Sequence, residues 1–135
     1  MSNSARFLCI EPQFRIADLV RTAEYYRDTL GFTIGGYFGD PPVFTQVSRD
    51  LVTIQLGREL DPAKTTQPHS GVGYNAYIFV DDVEALAAEY AQGGVTVVAG
   101  PVTRVYGCRE LVIKDCNGLV ICFSQSGVGG APDSE

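Results

Sequence analysis

A chain of 135 residues with 45% hydrophobic and 19% charged residues can form one domain with a substantial core. Its 10 basic and 16 acidic residues give a net charge of −6, which argues against nucleic-acid binding because a phosphate backbone needs a basic surface. No apolar run reaches membrane-spanning length and residues 1–4 begin no signal peptide, so we expect a cytoplasmic protein with no membrane partner.

Four cysteines occupy positions Cys9, Cys108, Cys116 and Cys122. Their spacing contains no CxxC pair, which argues against a zinc finger. In a cytosolic protein we expect free thiols, with Cys9 and Cys122 acting as small hydrophobic residues inside apolar runs.

The first strand is predicted over Phe7 to Ile16, where apolar and polar residues alternate. Pro12 favours an edge or bulge position there, because proline cannot donate a ladder hydrogen bond. Asp18 is the predicted N-cap of a helix that ends at Gly31. The apolar face of this helix recurs at helical spacing, in Leu19, Ala23, Tyr26 and Leu30.

Three more strands are predicted in the first half, over Phe32 to Phe38, Val43 to Val47 and Leu51 to Leu56. Residues 58–71 then lose all periodicity and contain two prolines, which indicates a linker between two halves of the domain.

The pattern restarts after the linker. A strand over Tyr74 to Val80 precedes a helix capped by Asp82, whose apolar stripe is Val83, Leu86, Ala87 and Tyr90. A short strand over Val95 to Val98 leads to a hairpin across residues 106–123, with its turn at Asp115 to Gly118. Residues 127–135 are rich in Gly, Ser, Pro and acidic side chains, which predicts a disordered tail.

The chain therefore contains an internal repeat of one strand, one helix and three strands. Asp18 corresponds to Asp82 and Tyr26 to Tyr90, both at an offset of 64 residues. The two modules, about 5–57 and 72–126, form a single α+β domain over 1–135. Neither module can cover its own sheet, so we expect them to pair, with each helix on one sheet face and the other face concave.

The concave face is predicted to carry the polar alternate positions of the strands. They are Glu11, Gln13, Arg15, Thr53, Gln55, Asn75, Tyr77, Phe79, Cys122 and Ser124. Polar groups mixed with aromatic rings are typical of small-molecule pockets. The alternative is a solvated sheet face with no ligand.

Several motifs resemble the vicinal-oxygen-chelate superfamily, which includes glyoxalase I, extradiol dioxygenases and bleomycin-resistance proteins. Residues 16–19 and 24–32 resemble its V-x-D … F-Y-x-x-L-G-F pattern, and Val80 to Leu86 resembles the counterpart in the second half. Residues 106–110 and 115–118 resemble its W/Y-G-x-R-E … D-P-D-G-N hairpin. The resemblance implies two paired βαβββ modules that form a curved mixed sheet around a cavity, often in a dimer.

Enzymes of this superfamily hold a divalent metal at the first and last strand of each module. Carried over by resemblance, those positions are Glu11, Gln55, Asn75 and Cys122. None is a histidine, and amides are poor ligands for transition metals. The single histidine, His69, lies in the linker. We therefore expect no metal and no cofactor, and we assign no catalytic residue.

The function that follows is metal-independent binding and sequestration of a small organic molecule, similar to bleomycin-resistance proteins. The resemblance suggests an antibiotic of bleomycin-like or aromatic peptide type as the ligand. Rings expected to stack on a flat ligand are Tyr37, Phe38, Tyr77, Phe79 and Tyr106. Glu11 would attract a cationic group, while hydrogen bonds would come from Gln55, Asn75 and Arg109; Gln13 and Cys122 complete the predicted site. The alternative is a superfamily enzyme, either a lyase, an isomerase or a dioxygenase. A homodimer is expected by resemblance and because an exposed strand edge needs a partner.

Overall fold

Each half of the chain forms one strand, one helix and three further strands in the computed structural model, which describes residues 3–129, 132 and 133. The first module contains β1 (Gln13–Ile16), α1 (Leu19–Asp28), β2 (Thr33–Ile34), β3 (Phe44–Arg49) and β4 (Val52–Arg58). The second contains β5 (Ala76–Phe79), α2 (Val83–Gln92), β6 (Thr96–Thr103), β7 (Cys108–Lys114) and β8 (Val120–Ser126).

The strands form two separate four-stranded mixed sheets, one for each module. Their orders are β1-β4-β3-β2 and β5-β8-β7-β6, so the two modules share one topology. In each sheet the first strand lies parallel to the last, and the hairpin strands are antiparallel. The predicted α+β fold with two βαβββ modules is confirmed.

Both helices begin at the predicted aspartates. A side-chain oxygen of Asp18 accepts a hydrogen bond from the Arg21 amide at 3.2 Å, and Asp82 accepts one from the Ala85 amide at 3.0 Å. These bonds satisfy amides that have no partner within the helix. The apolar stripes are buried as predicted, except that Ala87 is half-buried.

One hydrophobic core is shared by the helix-facing sides of the two modules. The hydroxyl of Tyr26 on α1 donates to Asp115 in the β7–β8 turn at 2.7 Å. The pseudo-equivalent Tyr90 on α2 donates to the Leu30 carbonyl at 2.9 Å. Both tyrosines are fully buried, so these bonds fix the two modules to each other through their interiors.

The predicted first strand is wrong over residues 7–12, because only Gln13–Ile16 pairs with β4. Phe7, Leu8 and Ile10 are more than four-fifths exposed, and Cys9 is exposed rather than packed in a hydrophobic environment. Alternation alone does not make a strand when the described chain offers this segment no neighbouring strand. The other strands depart from their predicted ends by a few residues, most of all β6, which extends to Thr103.

Both the linker and the described Asp133 of the tail form hydrogen bonds with the strands. Thr66 exchanges hydrogen bonds with the backbone of Arg15, at 2.7 and 2.8 Å, so the linker covers the outer edge of β1. Asp133 accepts from the Thr103 amide at 2.7 Å, so the prediction of disorder is wrong at that residue. Residues 1, 2, 130, 131, 134 and 135 lie outside the described residues. No helix within the described ranges is long and apolar enough to cross a membrane.

Candidate functional site

The first module places an amide cluster on the sheet face opposite α1. This cluster consists of Glu11, Gln13 and Gln55. Gln13 lies directly opposite Gln55 in the parallel β1–β4 pair, and its amide donates to the Gln55 side-chain oxygen. The Gln55 amide in turn donates to the Glu11 carboxylate at 3.0 Å. Three of the predicted site residues are therefore joined by side-chain hydrogen bonds.

The second module places a buried carboxylate, Glu110, at the corresponding face of its sheet. Glu110 on β7 has no solvent exposure and pairs with Ser124 on β8. Its oxygens accept hydrogen bonds from three tyrosine hydroxyls: Tyr74 at 3.3 Å, Tyr77 at 2.6 Å and Tyr106 at 2.7 Å. We refer to Glu110, these tyrosines and Arg104 as the tyrosine cluster.

Arg104 supplies the counter-charge of the tyrosine cluster. Its Nε lies 3.2 Å from a Glu110 oxygen, and its side chain is only 16% exposed. Burial alone would raise the pKa of Glu110, but the hydrogen bonds from the tyrosines and Arg104 outweigh burial and leave that pKa below its usual value. Glu110 is therefore ionised at neutral pH and acts only as a hydrogen-bond acceptor.

The same environment keeps the surrounding groups protonated. Burial, followed by the hydrogen bond to Glu110, raises the pKa of Tyr77 and of Tyr106 above the usual tyrosine value. Burial and the nearby Glu110 charge raise the pKa of the Cys122 thiol to about 12. At neutral pH Cys122 is a neutral thiol, which is a poor nucleophile and a poor metal ligand.

Aromatic rings extend the tyrosine cluster along β5. The Tyr77 ring lies 5.8 Å from Tyr74 and 5.3 Å from Phe79, measured between centroids, and meets Phe79 nearly edge-on. Phe79 is 64% exposed and Tyr106 59% exposed, so both present ring surface to the outside. Tyr77, Phe79, Tyr106 and Cys122, all predicted site residues, are thus close together.

Arg109 and Asn75, two other predicted site residues, have structural partners elsewhere. Arg109 forms ion pairs with Glu84 on α2 and with Asp133 in the C-terminal segment. The Asn75 side chain bonds to backbone groups of Gln67, His69 and Val120, which anchors the linker to β8. Both side chains therefore have structural partners, and their hydrogen bonds to a ligand stay predictions.

Tyr37 and Phe38 also lie apart from the tyrosine cluster. They belong to the β2–β3 connection, where Phe38 forms an isolated bridge with Phe44. Burial, followed by the charge of Glu24 on α1, raises the pKa of Tyr37 above its usual value. Neither ring contributes to the hydrogen bonds of the tyrosine cluster, and their stacking on a ligand stays a prediction.

Glu110, Arg104 and Tyr74 were not among the predicted site residues. The hairpin turn at 115–118 contained the signal for Glu110, since the antiparallel register pairs Glu110 with Ser124, a residue that was predicted on the open face. Arg104 and Tyr74 lie in connections, where alternation carries no information.

The amide cluster and the tyrosine cluster do not form one site within the described chain. The hydrogen bonds of the first join Glu11, Gln13 and Gln55, and those of the second centre on Glu110. No hydrogen bond found among the described residues links the two clusters. Three of the predicted site residues therefore belong to the amide cluster and four lie at or beside the tyrosine cluster, while Tyr37, Phe38, Asn75 and Arg109 belong to neither.

The four positions that correspond to the metal ligands of related enzymes are divided between the modules. Glu11 and Gln55 are joined by a hydrogen bond at 3.0 Å, the Asn75 side chain bonds to backbone groups, and Cys122 is a neutral thiol. The four side chains are then one carboxylate, two amides that already have hydrogen-bond partners, and a protonated thiol. Such a donor set does not fit a transition metal, and the described residues contain no group of three His, Cys, Asp or Glu side chains that could hold one.

Two cavities open at the surface of the described chain. One of about 420 Å³ lies beside the tyrosine cluster and is lined in part by Val72, Tyr74, Arg104 and Tyr106. The other, about 450 Å³, lies between α2 and the β3–β4 turn. Its rim includes the Arg49–Glu89 ion pair, whose groups already satisfy each other at 2.8 and 2.9 Å. We take the first cavity as the candidate site because convergent polar and aromatic groups lie at its wall.

Comparisons with known proteins agree with this architecture. The model of the family described as "Glyoxalase/Bleomycin resistance protein/Dioxygenase superfamily" matches residues 10–123. The chain is 25% identical over 113 residues to the "Virulence protein STM3117" of Salmonella typhimurium. The aligned region covers 82% of this chain and 78% of that protein.

Solved structures share the fold. The bleomycin-binding protein from bleomycin-producing Streptomyces verticillus, complexed with copper(II)-bleomycin, is 25% identical with a TM-score of 0.65, covering 94% of this chain and 100% of that one. TnmS3, an antibiotic binding protein from Streptomyces sp. CB03234, is 23% identical with a TM-score of 0.67, covering 90% of this chain and 99% of that one.

Proposed function

The chain belongs to the glyoxalase/bleomycin resistance protein/dioxygenase superfamily, and we propose that it binds and sequesters a small organic molecule without using a metal ion. The observation that carries this proposal is the tyrosine cluster, in which a buried carboxylate accepts from three phenols, and two of these phenols, Tyr74 and Tyr106, line a cavity of about 420 Å³. Cavities of this size, with aromatic walls and few fixed polar groups, are typical of small-molecule sites.

The donor chemistry supports metal independence. A Lewis acid at these superfamily positions would need several ionised or imidazole ligands, whereas only Glu11 is a carboxylate, Gln55 and Asn75 are amides, and Cys122 is a neutral thiol at neutral pH. Sequestration requires only affinity, so it needs no catalytic group at the proposed site. Antibiotics are the first ligand class to test, because two structural relatives are described as a bleomycin-binding and an antibiotic binding protein.

Thermal unfolding with metal-free bleomycin, copper(II)-bleomycin and an anthracycline tests this function. A ligand that binds only the folded state, at one hundred times its dissociation constant, adds about 2.7 kcal/mol to the free energy of unfolding. For a domain of this size we expect the Tm to rise by roughly 5–10 °C with at least one of these ligands.

The control is a matched pair of variants. Tyr106→Ala removes an exposed ring of the cluster and should abolish the rise in Tm, whereas Leu60→Ala, at a 70% exposed residue of the linker, should preserve it. Failure of every ligand to raise the Tm would contradict antibiotic binding. Stoichiometric zinc, nickel, iron or manganese in protein purified without chelator would contradict metal independence.

We also propose that the functional form is a homodimer. Phe7, Leu8 and Ile10 are 96%, 82% and 90% exposed, an apolar segment that a single chain leaves in water. Burial of one such side chain stabilises an assembly by about 1.5–3 kcal/mol. A second copy would cover this segment and could also bring an amide cluster opposite a tyrosine cluster. We place this function in the cytoplasm, which is supported by four cysteines that are all free.

Light scattering coupled to size-exclusion chromatography tests the dimer. We expect a mass of twice 14.6 kDa for the wild type and a shift toward one chain for the Leu8→Ser, Ile10→Ser double variant. Leu51→Ser, at a fully exposed leucine in the β3–β4 turn, is the control and should leave the mass unchanged. A wild-type mass of one chain at micromolar concentration would exclude the proposed dimer.

A further inference from the structure

The three phenols of the tyrosine cluster have few protons available for a guest molecule. A phenol hydroxyl has one hydrogen to donate and lone pairs that accept. In the structure the hydroxyls of Tyr74, Tyr77 and Tyr106 all point at Glu110, which is ionised and has no proton of its own. The single hydrogen of each phenol is therefore committed to the carboxylate.

What remains on these phenols is hydrogen-bond accepting capacity. The Tyr77 oxygen also lies 2.8 Å from the Ser124 hydroxyl oxygen, so Ser124 is a second hydrogen-bond partner of this phenol. Tyr74 and Tyr106 line the cavity of about 420 Å³, so their remaining lone pairs can meet a guest there. The ring of Tyr106, 59% exposed, adds a flat surface beside its oxygen.

The phenols cannot easily turn their hydroxyl protons away from Glu110. Glu110 is completely buried, so no water replaces a phenol that turns away from it, and a buried carboxylate that loses a donor incurs a desolvation cost. The Arg104 guanidinium at 3.2 Å further stabilises the ionised form. The orientation of the phenol dipoles is thus set by the fold before any ligand arrives.

We propose that Glu110 is a positioning residue that fixes Tyr74 and Tyr106 as hydrogen-bond acceptors, so that the site selects flat aromatic guests carrying N–H donors over the same ring systems without them. This inference rests on the proposed function, because it names the ligand class of the same cavity. It differs from simple stacking, which would not distinguish two guests of equal ring size and charge.

Two acridine dyes provide the test. Proflavine carries two amino groups on a cationic tricyclic ring, and acridine orange carries two dimethylamino groups on the same cationic ring. Dissociation constants are measured for both by fluorescence titration of the full chain at neutral pH. We expect proflavine to bind about tenfold more tightly, since an unsatisfied polar partner in a cavity costs about that factor.

Methylation also changes the size of the dye, so the decisive quantity is the ratio of the two dissociation constants in matched variants. Tyr106→Phe keeps the ring and removes the acceptor, and it should reduce the preference for proflavine about fivefold with little change for acridine orange. Tyr25→Phe, on α1 outside the cluster, is the control and should keep the wild-type ratio. Glu110→Gln should also reduce the preference, because its amide can no longer accept from all three phenols.

The outcomes separate this inference from the proposed function. An equal ratio in the wild type and Tyr106→Phe would overturn donor selection while leaving aromatic binding intact. Failure of both dyes to bind saturably at millimolar concentration, together with no rise in Tm for the antibiotics, would overturn the proposed function and this inference with it. A preference for proflavine that Tyr106→Phe reduces and Tyr25→Phe preserves would support both.

Discussion

Replacement of Gly100 by alanine is expected to lower the free energy of unfolding by about 3 kcal/mol or more. Gly100 lies in β6 at φ +90°, and a Cβ there would be 2.1 Å from the Glu110 carbonyl oxygen. Backbone atoms cannot give way as a flexible side chain can, so β6 and β7 must separate. The change would displace Glu110 itself, and we therefore expect dye binding at the tyrosine cluster to weaken as well.

Gly107→Ala is the matched control for this variant. Gly107 has φ +85°, close to that of Gly100, but a Cβ added there would meet no atom within 4 Å. It should therefore show only the conformational cost of a left-handed residue, about 1–2 kcal/mol. Urea unfolding followed by circular dichroism measures both variants. Equal losses of unfolding free energy for Gly100→Ala and Gly107→Ala would show that the close contact with the Glu110 carbonyl oxygen does not destabilise the protein.

Replacement of Asp115 by alanine should cost about 3–4 kcal/mol of unfolding free energy. The buried Asp115 accepts hydrogen bonds from the Tyr26 hydroxyl at 2.7 Å and from the amides of Asn117 and Leu119 at 2.8 and 2.9 Å. Alanine would leave all three donors without this acceptor, and the Tyr26 hydroxyl is fully buried. Because this bond joins the modules, we expect the whole domain to lose stability in one transition, measured by urea unfolding.

Asp115→Asn is the control for charge. Its amide oxygen can accept from both backbone amides and its NH₂ group can face Tyr26, so we expect a loss near 1 kcal/mol at neutral pH, about the worth of one hydrogen bond. A loss as large as that of alanine would contradict a role based on these hydrogen bonds.

The difference in unfolding free energy between the wild type and Asp115→Asn should depend on pH. Burial raises the pKa of Asp115 above 3.8, an effect that its hydrogen bonds only partly offset. The folded state therefore holds this proton more tightly than the unfolded state. The stabilisation from protonated Asp115 is complete below pH 3.8 and is lost as the pH rises through the raised pKa. The stability of the wild type relative to Asp115→Asn should accordingly fall across that interval, and a difference independent of pH would contradict the assignment.

The hydrophobic pattern was sufficient to predict the repeated module. The stripes that include Tyr26 and Tyr90 follow the helical period and are buried, and Asp18 and Asp82 cap the helices as expected. These features depend on interactions within a few residues, which a sequence displays directly. The same reasoning gave a wrong strand over residues 7–12. A strand also needs a neighbouring strand to pair with, and alternation does not reveal whether one exists.

The candidate site was only partly predictable. Alternation correctly grouped Gln13 with Gln55 and Tyr77 with Cys122, since strand parity decides which side chains share a face. It did not identify Glu110 as the centre of the second cluster, and Arg109 was chosen in its place. Arg109 and Glu110 are consecutive residues of β7, and consecutive side chains of a strand point to opposite faces of the sheet.

Local patterns along the chain were enough to specify two βαβββ modules and their helix caps, because periodicity and capping involve residues close in sequence. The superfamily was indicated by the resemblance of the sequence motifs, and the family model confirms it. The convergence of Tyr74, Tyr106 and Arg104 on Glu110, and the separation of the amide cluster from them, became evident only in the folded chain. This convergence joins the connection before β5, the β6–β7 loop and a buried strand, and such contacts depend on packing across the fold, which no local pattern encodes.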